Sequence, residues 1–373
     1  MKPTVGRIPK KTVKATARAA LSRAALSSAS LGMLLGWTAV GTAHAQSSVQ
    51  LYGQIDEWVG ATKFPGGGRA WNVGGGGMST SYWGLKGTED LGNGYKAVFA
   101  LEDFFRAQNG SYGRFTGDTL FSRNAYVGIQ SPYGTLTAGR LTTQLFVSTI
   151  LFNPFSDSYT FSPMVYHVFL GQGTYPTYAT DQGVVGDSGW NNAIQYTTPD
   201  YNGFNASAMY GFGNQAGGNG QKKYSAQFLY FHGPFAATGV YQYVNFNSAA
   251  GDLDSLLAGY KSQSAAQAGL SYDLKFVKFF AQYMYTHNDA GTGGFHIHTE
   301  QGGVTVPIGA GYAMASYAYS RSNGGMDQTH KSWAVGYDYP LSKRTDVYAA
   351  YLDDRYTHMS SGNTFGIGVR AKF

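Results

Sequence analysis

The sequence predicts an all-β fold: a transmembrane antiparallel barrel of sixteen strands, with one long constriction loop folded into the lumen. Three observations lead to it. Apolar and polar residues alternate with a period of two along most of the chain after Gln46. Connections between these segments alternate between short and long, and no apolar run after the first 45 residues is long enough for a membrane helix.

The alternation gives each candidate strand one apolar face and one polar or small face. It is clearest in residues 203–213, 276–289, 311–322 and 365–373. Three apolar residues interrupt the polar faces: Met209, Phe280 and Met284. An apolar face that continues over ~10 residues suits a tilted strand that crosses hydrocarbon. The alternative is a soluble β-sandwich, but its strands are usually shorter, ~5–6 residues, so strand length favours the membrane.

Turn-forming segments divide the chain in a regular way. The short connections are Ser131–Gly134, Pro199–Gly203, His232–Pro234, Leu274–Phe276, Ile308–Gly311 and Leu341–Arg344. The long ones are Lys63–Met78, Gln108–Thr119, Thr142–Asp187, Asn214–Lys222, Ser248–Tyr260, Asp289–Phe295, Asn323–Thr329 and Tyr356–Ser361. Short turns at one end and long loops at the other are typical of an outer-membrane barrel, whose closure satisfies every backbone group without disulfides. The chain has no cysteine.

One loop, residues 142–187, is far longer than the others and rich in aromatic residues. A loop of this length is usually functional. Because the lumen of a sixteen-stranded barrel is too wide for side chains to fill, we expect this loop to fold inward and narrow it. The alternative is an external flap.

Residues 1–45 are predicted to be a signal peptide that is removed, leaving residues 46–373 as the barrel domain. A basic start and a short apolar stretch end in Ala43-His44-Ala45, a small-residue cleavage site. The alternative, a membrane anchor, needs a longer apolar run. The leader carries seven of the 27 basic residues and no acid, so the net charge of +6 belongs to it and predicts no nucleic-acid partner.

Three motifs suggest other chemistry and are interpreted otherwise. Gly186-Asp187-Ser188-Gly189 resembles a protease nucleophile motif, but nothing supplies its base. His296 and His298 share a strand face without a third metal ligand. Gly74–Gly77 could suggest a phosphate-binding loop, but no helix follows it, so we interpret it as a flexible external loop. The sequence therefore predicts no enzyme, no cofactor and no metal site.

Five motifs in order resemble the general porins of Gram-negative bacteria, especially their β-proteobacterial branch. They lie at residues 48–53, 83–92, 123–140 and 339–345, and at the terminal Phe373. The resemblance covers essentially all of residues 46–373. It implies a homotrimer of barrels in the cell outer membrane, each with a water-filled channel. It also implies contacts with outer-membrane lipids and lipopolysaccharide, and with periplasmic chaperones and the barrel-assembly machinery during biogenesis.

The family's constriction sets carboxylates of the third loop against arginines of the wall. By resemblance, Arg123 matches one wall arginine, Tyr82 stands where a second is usual, and residues 188–192 lack a third. Gln54 holds a first-strand position that can be basic, and Lys86 lies on the face of Tyr82. On the loop side, Asn153 and Phe155 resemble the loop tip, and Asp157 is the nearest acid. The predicted constriction residues are Gln54, Tyr82, Lys86, Arg123, Asn153, Phe155 and Asp157.

These residues predict a channel for passive diffusion of ions and small hydrophilic solutes. We expect weak charge selectivity, with Arg123 as the dominant positive charge and with Tyr82 and Phe155 lining the throat. An alternative for Arg123 is an ion pair that points away from the pore. Alternatives for the whole chain are a substrate-specific channel, a barrel enzyme, and an adhesin or structural barrel. Arg140 resembles a residue nearer the subunit contact and is left out of the pore.

Overall fold

The computed structural model describes residues 48–169, 188–213, 222–245, 260–290, 293–324 and 328–373. The predicted signal peptide and the second part of the long loop, residues 170–187, lie outside them. The described chain is a closed antiparallel sheet with two short helices. No described helix is long and apolar enough to cross a membrane.

The first half of the chain contains β1 (Ser48–Lys63), β2 (Arg69–Gly75), β3 (Tyr82–Gly92), β4 (Tyr95–Arg106), β5 (Ser111–Tyr112), β6 (Asn124–Ser131), β7 (Gly134–Thr142), α1 (Gln144–Leu151), α2 (Pro163–Phe169), β8 (Gly189–Thr197) and β9 (Phe204–Gly211). The second half contains β10 (Lys223–His232), β11 (Phe235–Asn245), β12 (Tyr260–Asp273), β13 (Lys278–Ala290), β14 (Phe295–Ile308), β15 (Gly311–Asn323), β16 (Thr329–Pro340), β17 (Thr345–Tyr356) and β18 (Gly362–Lys372).

Sixteen strands cross the barrel, as predicted, because β2 and β3 form one interrupted crossing and β5 is only a short extension paired with β4. Each crossing strand pairs with its sequence neighbour, and β1 pairs with β18 from Gln54↔Lys372 to Lys63↔Asn363. The backbone groups of the terminal residue join in, because Gly53 and Phe373 exchange N–H···O bonds of 3.2 and 3.1 Å. The sheet therefore has no free edge at the chain ends.

The two faces follow the alternation of the sequence. Along β1, Val49, Leu51 and Val59 are exposed on the outside of the barrel, whereas Asp56 and Trp58 are buried inside it. The same holds in β13, where Phe279 and Tyr283 face outward while Gln282 and Met284 are buried inward. The exposed outer face is apolar because lipid is its solvent, and the inner face carries glutamine, serine and threonine.

The apolar residues that interrupt the polar face have a structural reason. Met284 lies inside the barrel in one cluster with Leu145, Met164 and Val165 of the long loop. Met209 packs in a second inner cluster with Trp190. Met284 therefore marks a place where the long loop docks on the wall, whereas Met209 packs among residues of neighbouring wall strands.

One predicted external loop is built differently. Residues 63–78 were expected to be a long connection with a flexible glycine run, but Arg69–Gly75 form β2, and residues 76–81 bulge inward between β2 and β3. A Cβ at Gly74 would lie 2.7 Å from the indole nitrogen of Trp58, and one at Gly77 would overlap the hydroxyl of Tyr348. The interpretation of Gly74–Gly77 as a flexible external loop was wrong: the glycines allow close approach of the backbone to these two side chains.

Candidate functional site

The described part of the long loop, residues 143–169, lies against the inner wall of the barrel. Its first helix, α1, contacts β10, β11 and β12. Gln227 donates to the carbonyl of Gln144 at 3.0 Å and to Ser148 Oγ at 2.7 Å, while Gln267 and Gln282 both donate to Thr149 at 3.1 Å. These wall glutamines replace the water that would otherwise satisfy the helix, so the loop is held inside by specific bonds.

The second helix, α2, contacts β14, β15 and β16 on the adjoining stretch of wall. All seven of its residues are buried. The ring nitrogens of His167 lie 2.7 Å from Ser320 Oγ and 2.8 Å from Ser332 Oγ, both on inward faces. Burial, and then the neighbouring His330, lower the pKa of His167 well below its usual value, so the ring is neutral at pH 7.

The turn between the helices is anchored by the two residues expected at the loop tip. Asn153 is buried, donates to the carbonyls of Thr149 and Ser156 at 2.8 and 2.9 Å, and accepts from the backbone N–H of Phe155 at 2.9 Å. Phe155 is fully buried in a cluster with Trp58, Met314 and others of the inner wall. Neither side chain lines an open throat, which corrects the expected role of Phe155: it fastens the tip to the wall.

Asp56 organises the inward bulge of residues 76–81. Its carboxylate accepts backbone N–H bonds from Gly77, Met78 and Ser79, at 3.1, 2.9 and 2.9 Å, together with the hydroxyl of Tyr348. The carboxylate thus takes up the backbone donors that the break between β2 and β3 leaves without sheet partners. These bonds hold the backbone of the bulge against β1, and the bulge in turn forms the surface on which the loop tip packs.

The loop tip docks on this bulge through three side-chain bonds. Ser79 Oγ donates to Asp157 Oδ2 at 2.6 Å. In return, Ser158 Oγ donates to the carbonyl of Gly77 at 2.5 Å and Thr160 Oγ1 to that of Gly76 at 3.0 Å. Together with the contacts of α1 and α2, these bonds tie the loop to the wall at three places around the barrel.

The wall residues predicted for the constriction lie on the inner face of β1 and β3. Gln54 is paired with Tyr82 in the ladder, and its amide donates to Ser79 Oγ and to the carbonyl of Thr80. Lys86 follows on the same face, with its ammonium 4.3 Å from the centroid of the Tyr52 ring. The structure therefore brings Gln54, Tyr82 and Lys86 to one region of the wall beside the docked tip.

Arg123 joins this region from the start of β6. It precedes Asn124, the first strand residue, so the alternation of the strand does not fix its direction. Its guanidinium is ion-paired with Glu102 and lies 4.1 Å from the centroid of the Tyr82 ring. Glu102 is buried on the inner face of β4 and also accepts from Tyr52 and Asn124.

The pairing with Glu102 was not predicted from the sequence. Arg123 does face the inside of the barrel, but its charge is compensated at close range. The signal was present in the alternation, since Glu102 shares the inner face of β4 with Ala100 and Phe104. An acid on an inner face one strand away from an expected cation is a candidate partner for it.

A comparison with known proteins then decides the family. A model described as Gram-negative porin matches residues 29–358. The chain belongs to the Gram-negative porin family. Outer membrane porin protein 32 of Delftia acidovorans is 32% identical over 337 aligned residues, which cover 85% of this chain and 87% of the relative. The barrel is thus that of an outer-membrane channel protein.

Two solved structures show the same fold. An anion-selective porin from Comamonas acidovorans superposes with a TM-score of 0.71 at 24% identity, covering 88% of this chain and all of that one. OmpT of Vibrio cholerae in a trimer form gives 0.64 at 16% identity, covering 88% of this chain and 99% of that one. At these identities the likeness supports the sixteen-stranded barrel and nothing finer.

Three features of the sequence remain: the histidine pair of β14, Arg140 and the protease-like motif. His296 and His298 face outward, and His298 Nδ1 lies 2.7 Å from the hydroxyl of Tyr283, which places the pair among the aromatic residues of the outer surface. Arg140 is buried and donates to the carbonyl of Ser122 at 2.6 Å and to Asn191 at 2.7 Å. Residues 186–187 of the protease-like motif lie outside the described part of the chain.

Proposed function

We propose that this porin is a weakly charge-selective passive diffusion channel, constricted between the docked tip of loop 143–169 and the wall around Arg123. The observation that carries the proposal is the ion pair between Arg123 and Glu102. A pore selects ions by its uncompensated fixed charge. When the charge of an arginine is balanced by a carboxylate in direct contact, that arginine contributes far less to the electric field in the pore than an unpaired arginine does.

The other charges of the region support the same conclusion. Asp157 of the loop faces the wall and accepts from Ser79, and Lys86 lies over the ring of Tyr52. Asp157 on the loop and Lys86 on the wall carry opposite charges, and with Arg123 paired they leave a modest transverse field. The porin from Comamonas acidovorans is described as anion-selective. We expect weaker anion preference here, because Tyr82 stands where the family places a second arginine.

We propose further that the channel is a homotrimer with no enzymatic activity, and that it matures by loss of residues 1–45. The trimeric form of the Vibrio structure supports the assembly. The basic, then apolar, leader supports export, after which the chain begins at Gln46. The bonds between Phe373 and Gly53 suggest that the terminal residue completes closure, so its deletion impairs assembly. An adhesin or purely structural barrel has no comparable need for an inward loop with three docking places.

Planar-bilayer recording on the purified mature protein tests the function. We expect stepwise, ohmic currents and a reversal potential close to zero in a potassium chloride gradient. Absence of channels from folded, heat-modifiable protein would contradict the channel. A reversal potential near the anion limit would contradict weak selectivity while leaving the channel intact. Intact-mass measurement of protein from outer membranes tests the predicted start at Gln46.

A further inference from the structure

A second cluster of functional side chains lies inside the barrel, apart from the constriction. His167 of α2, His330 of β16 and Asp354 of β17 are buried, with exposed fractions of 1%, 4% and 2%. One potential ligand atom from each lies within 4.8 Å of the others. His330 follows Thr329 at the start of β16, and Asp354 stands two residues before the end of β17, so the cluster lies near the long-loop end of the barrel.

The contacts within this cluster leave part of its binding capacity unused. His330 Nε2 lies 2.5 Å from Asp354 Oδ1, whereas Asp354 Oδ2 is buried with no hydrogen-bond partner among the described residues. A buried carboxylate oxygen without a partner calls for an explanation, and a bound ion is one of the few available. The two imidazole rings also stack at 3.5 Å between centroids, an arrangement that brings two nitrogen donors close together.

The hydroxyl of Ser332 stands between the three side chains. It lies 2.8 Å from His167 Nε2, 3.2 Å from His330 Nε2 and 2.7 Å from Asp354 Oδ1. These residues do not form a hydrolytic triad, because Ser332 and Asp354 meet the same nitrogen of His330, whereas a triad uses both ring nitrogens. Instead, Ser332 Oγ marks a point that all three donors can reach.

We propose that His167, His330 and Asp354 bind a divalent transition-metal ion of the Zn²⁺ type near the position of the Ser332 hydroxyl. Two imidazole nitrogens and one carboxylate oxygen are a ligand set that Zn²⁺ accepts, at distances of ~2.0–2.2 Å. Binding needs the Ser332 hydroxyl to rotate aside and the stacked rings to open, which brings the three donors nearer by about 1 Å. The fourth position goes to water or to Ser332 Oγ.

The ion would join the loop to the wall. His167 belongs to α2, whereas His330 and Asp354 belong to adjacent barrel strands, so one metal would cross-link the constriction loop to β16 and β17. No sequence motif indicates this site, because the three ligands come from distant elements and only the fold assembles them. Loading is expected to raise the heat resistance of the folded barrel, since a ligand that binds only the folded form stabilises it.

The test uses Co²⁺ and Zn²⁺ on the folded, detergent-solubilised mature protein. The starting variant is His296→Gln/His298→Gln, which removes the outward histidine pair that could bind metal by itself. We expect one Zn²⁺ per chain by calorimetry, and visible Co²⁺ absorption of tetrahedral type that Zn²⁺ displaces. In the same background, His167→Gln should weaken binding at least about 10-fold, as loss of a metal-site residue does.

A second measurement keeps the proposal testable if a buried substitution prevents folding. X-ray absorption at the zinc edge of the His296→Gln/His298→Gln protein, with no buried residue changed, should show two nitrogen neighbours of imidazole type. A spectrum with oxygen neighbours alone would overturn the proposal. So would the absence of stoichiometric binding in this background, or unchanged affinity in folded His167→Gln protein.

Discussion

Asp157 at the tip of the long loop accepts a hydrogen bond of 2.6 Å from the hydroxyl of Ser79, which belongs to the inward bulge of the second crossing strand. The bond joins two irregular parts of the chain that are 78 positions apart. Both are held by buried groups, the bulge by Asp56 and the loop tip by Asn153 and Phe155. The position of the loop tip therefore depends on the wall as much as on the loop.

Removal of the Ser79 hydroxyl should loosen the loop tip. Ser79→Ala loses the bonds to Asp157 and Gln54, each contributing ~1 kcal/mol, more where the carboxylate is charged. We expect increased open-channel current noise in single-channel records. Ser360→Ala, at an exposed loop position, is the matched control and should leave the noise unchanged. Wild-type noise in Ser79→Ala would show that the bond does not restrain the tip.

Loss of the Asp56 carboxylate should destabilise the folded barrel. Asp56→Ala leaves the buried N–H groups of Gly77, Met78 and Ser79 without their acceptor, at a cost of ~1–3 kcal/mol each before relaxation. We expect at least ~2 kcal/mol less unfolding free energy in urea. Asp90→Ala is the control, because Asp90 lies at the exposed end of β3 and accepts a hydrogen bond from the backbone N–H of Gly92. Equal stability of the two variants would mean that water or another group satisfies the bulge.

Truncation of Phe155 should release the loop from the wall while the barrel stays closed. Phe155→Ala opens a cavity in the cluster with Trp58 and Met314, for which ~3–5 kcal/mol is the usual cost. Hydrogen exchange should show lower protection for residues 144–169 and unchanged protection for the strand ladders. Phe276→Ala, at a side chain that is 69% exposed, is the control. Uniform loss of protection across the strands would contradict the assignment of Phe155 as a loop anchor.

The loop between β5 and β6 should open in acid. Burial alone would raise the pKa of Asp118, but its hydrogen bonds and ion pair with Arg114 outweigh that and hold the pKa below its usual value. A depressed carboxyl pKa contributes stability that is complete above the unfolded value of ~3.9 and is lost as the pH falls through the folded value.

The opening of this loop can be measured by hydrogen exchange at two backbone amides that donate to the Asp118 carboxylate. The amides of Arg114 and Thr119 donate to it at 2.9 and 3.0 Å, so their exchange protection should fall below pH ~4. Asp118→Asn should lack that pH dependence. Protection that persists in the wild type at low pH would show that the ion pair does not fix the loop.

Much of this architecture could be predicted because two-residue periodicity survives in nearly every strand. The strand count, the short turns and the inward loop follow from a sheet that needs lipid outside and water inside. Even the exceptions are informative, since Met284 interrupts the polar face where the loop packs against it. The inner positions of Gln54 and Tyr82 were expected from the resemblance to the porin family, and that of Lys86 because it shares a strand face with Tyr82.

The finer features depend on partners that are remote in sequence. The alternation places Glu102 on the inner face of β4 but does not place it in contact with Arg123. Nothing near Gly77 in the sequence indicates that Asp56 and Tyr348 hold the backbone there. The burial of Phe155 likewise depends on how the loop crosses the barrel. Such pairings arise from register and loop path, which a single sequence does not specify.

The central claim, that Glu102 compensates Arg123 in the constriction, is tested most directly by reversal potentials of Glu102→Gln. Glutamine has the shape of glutamate. Its single carbonyl oxygen can still accept from Asn124 and Arg123, while its NH₂ group replaces the oxygen that faces the Tyr52 hydroxyl, which can accept in its turn. The change therefore removes the charge with little change of shape. The reversal potentials are measured at ~0.01 M salt, because the Debye length is then ~30 Å and the charges in the pore are only weakly screened. The control is Glu89→Gln, the same change at an exposed position near the β3–β4 turn.

We predict a reversal potential near zero for the wild type and, for Glu102→Gln, a clear shift of the reversal potential in the direction of anion selectivity. Arg123→Ala should shift it toward cations, and the double variant should return close to the wild type. Strong anion selectivity in the wild type that neither Glu102→Gln nor Arg123→Ala alters would contradict the account, because the selecting charges would then lie elsewhere.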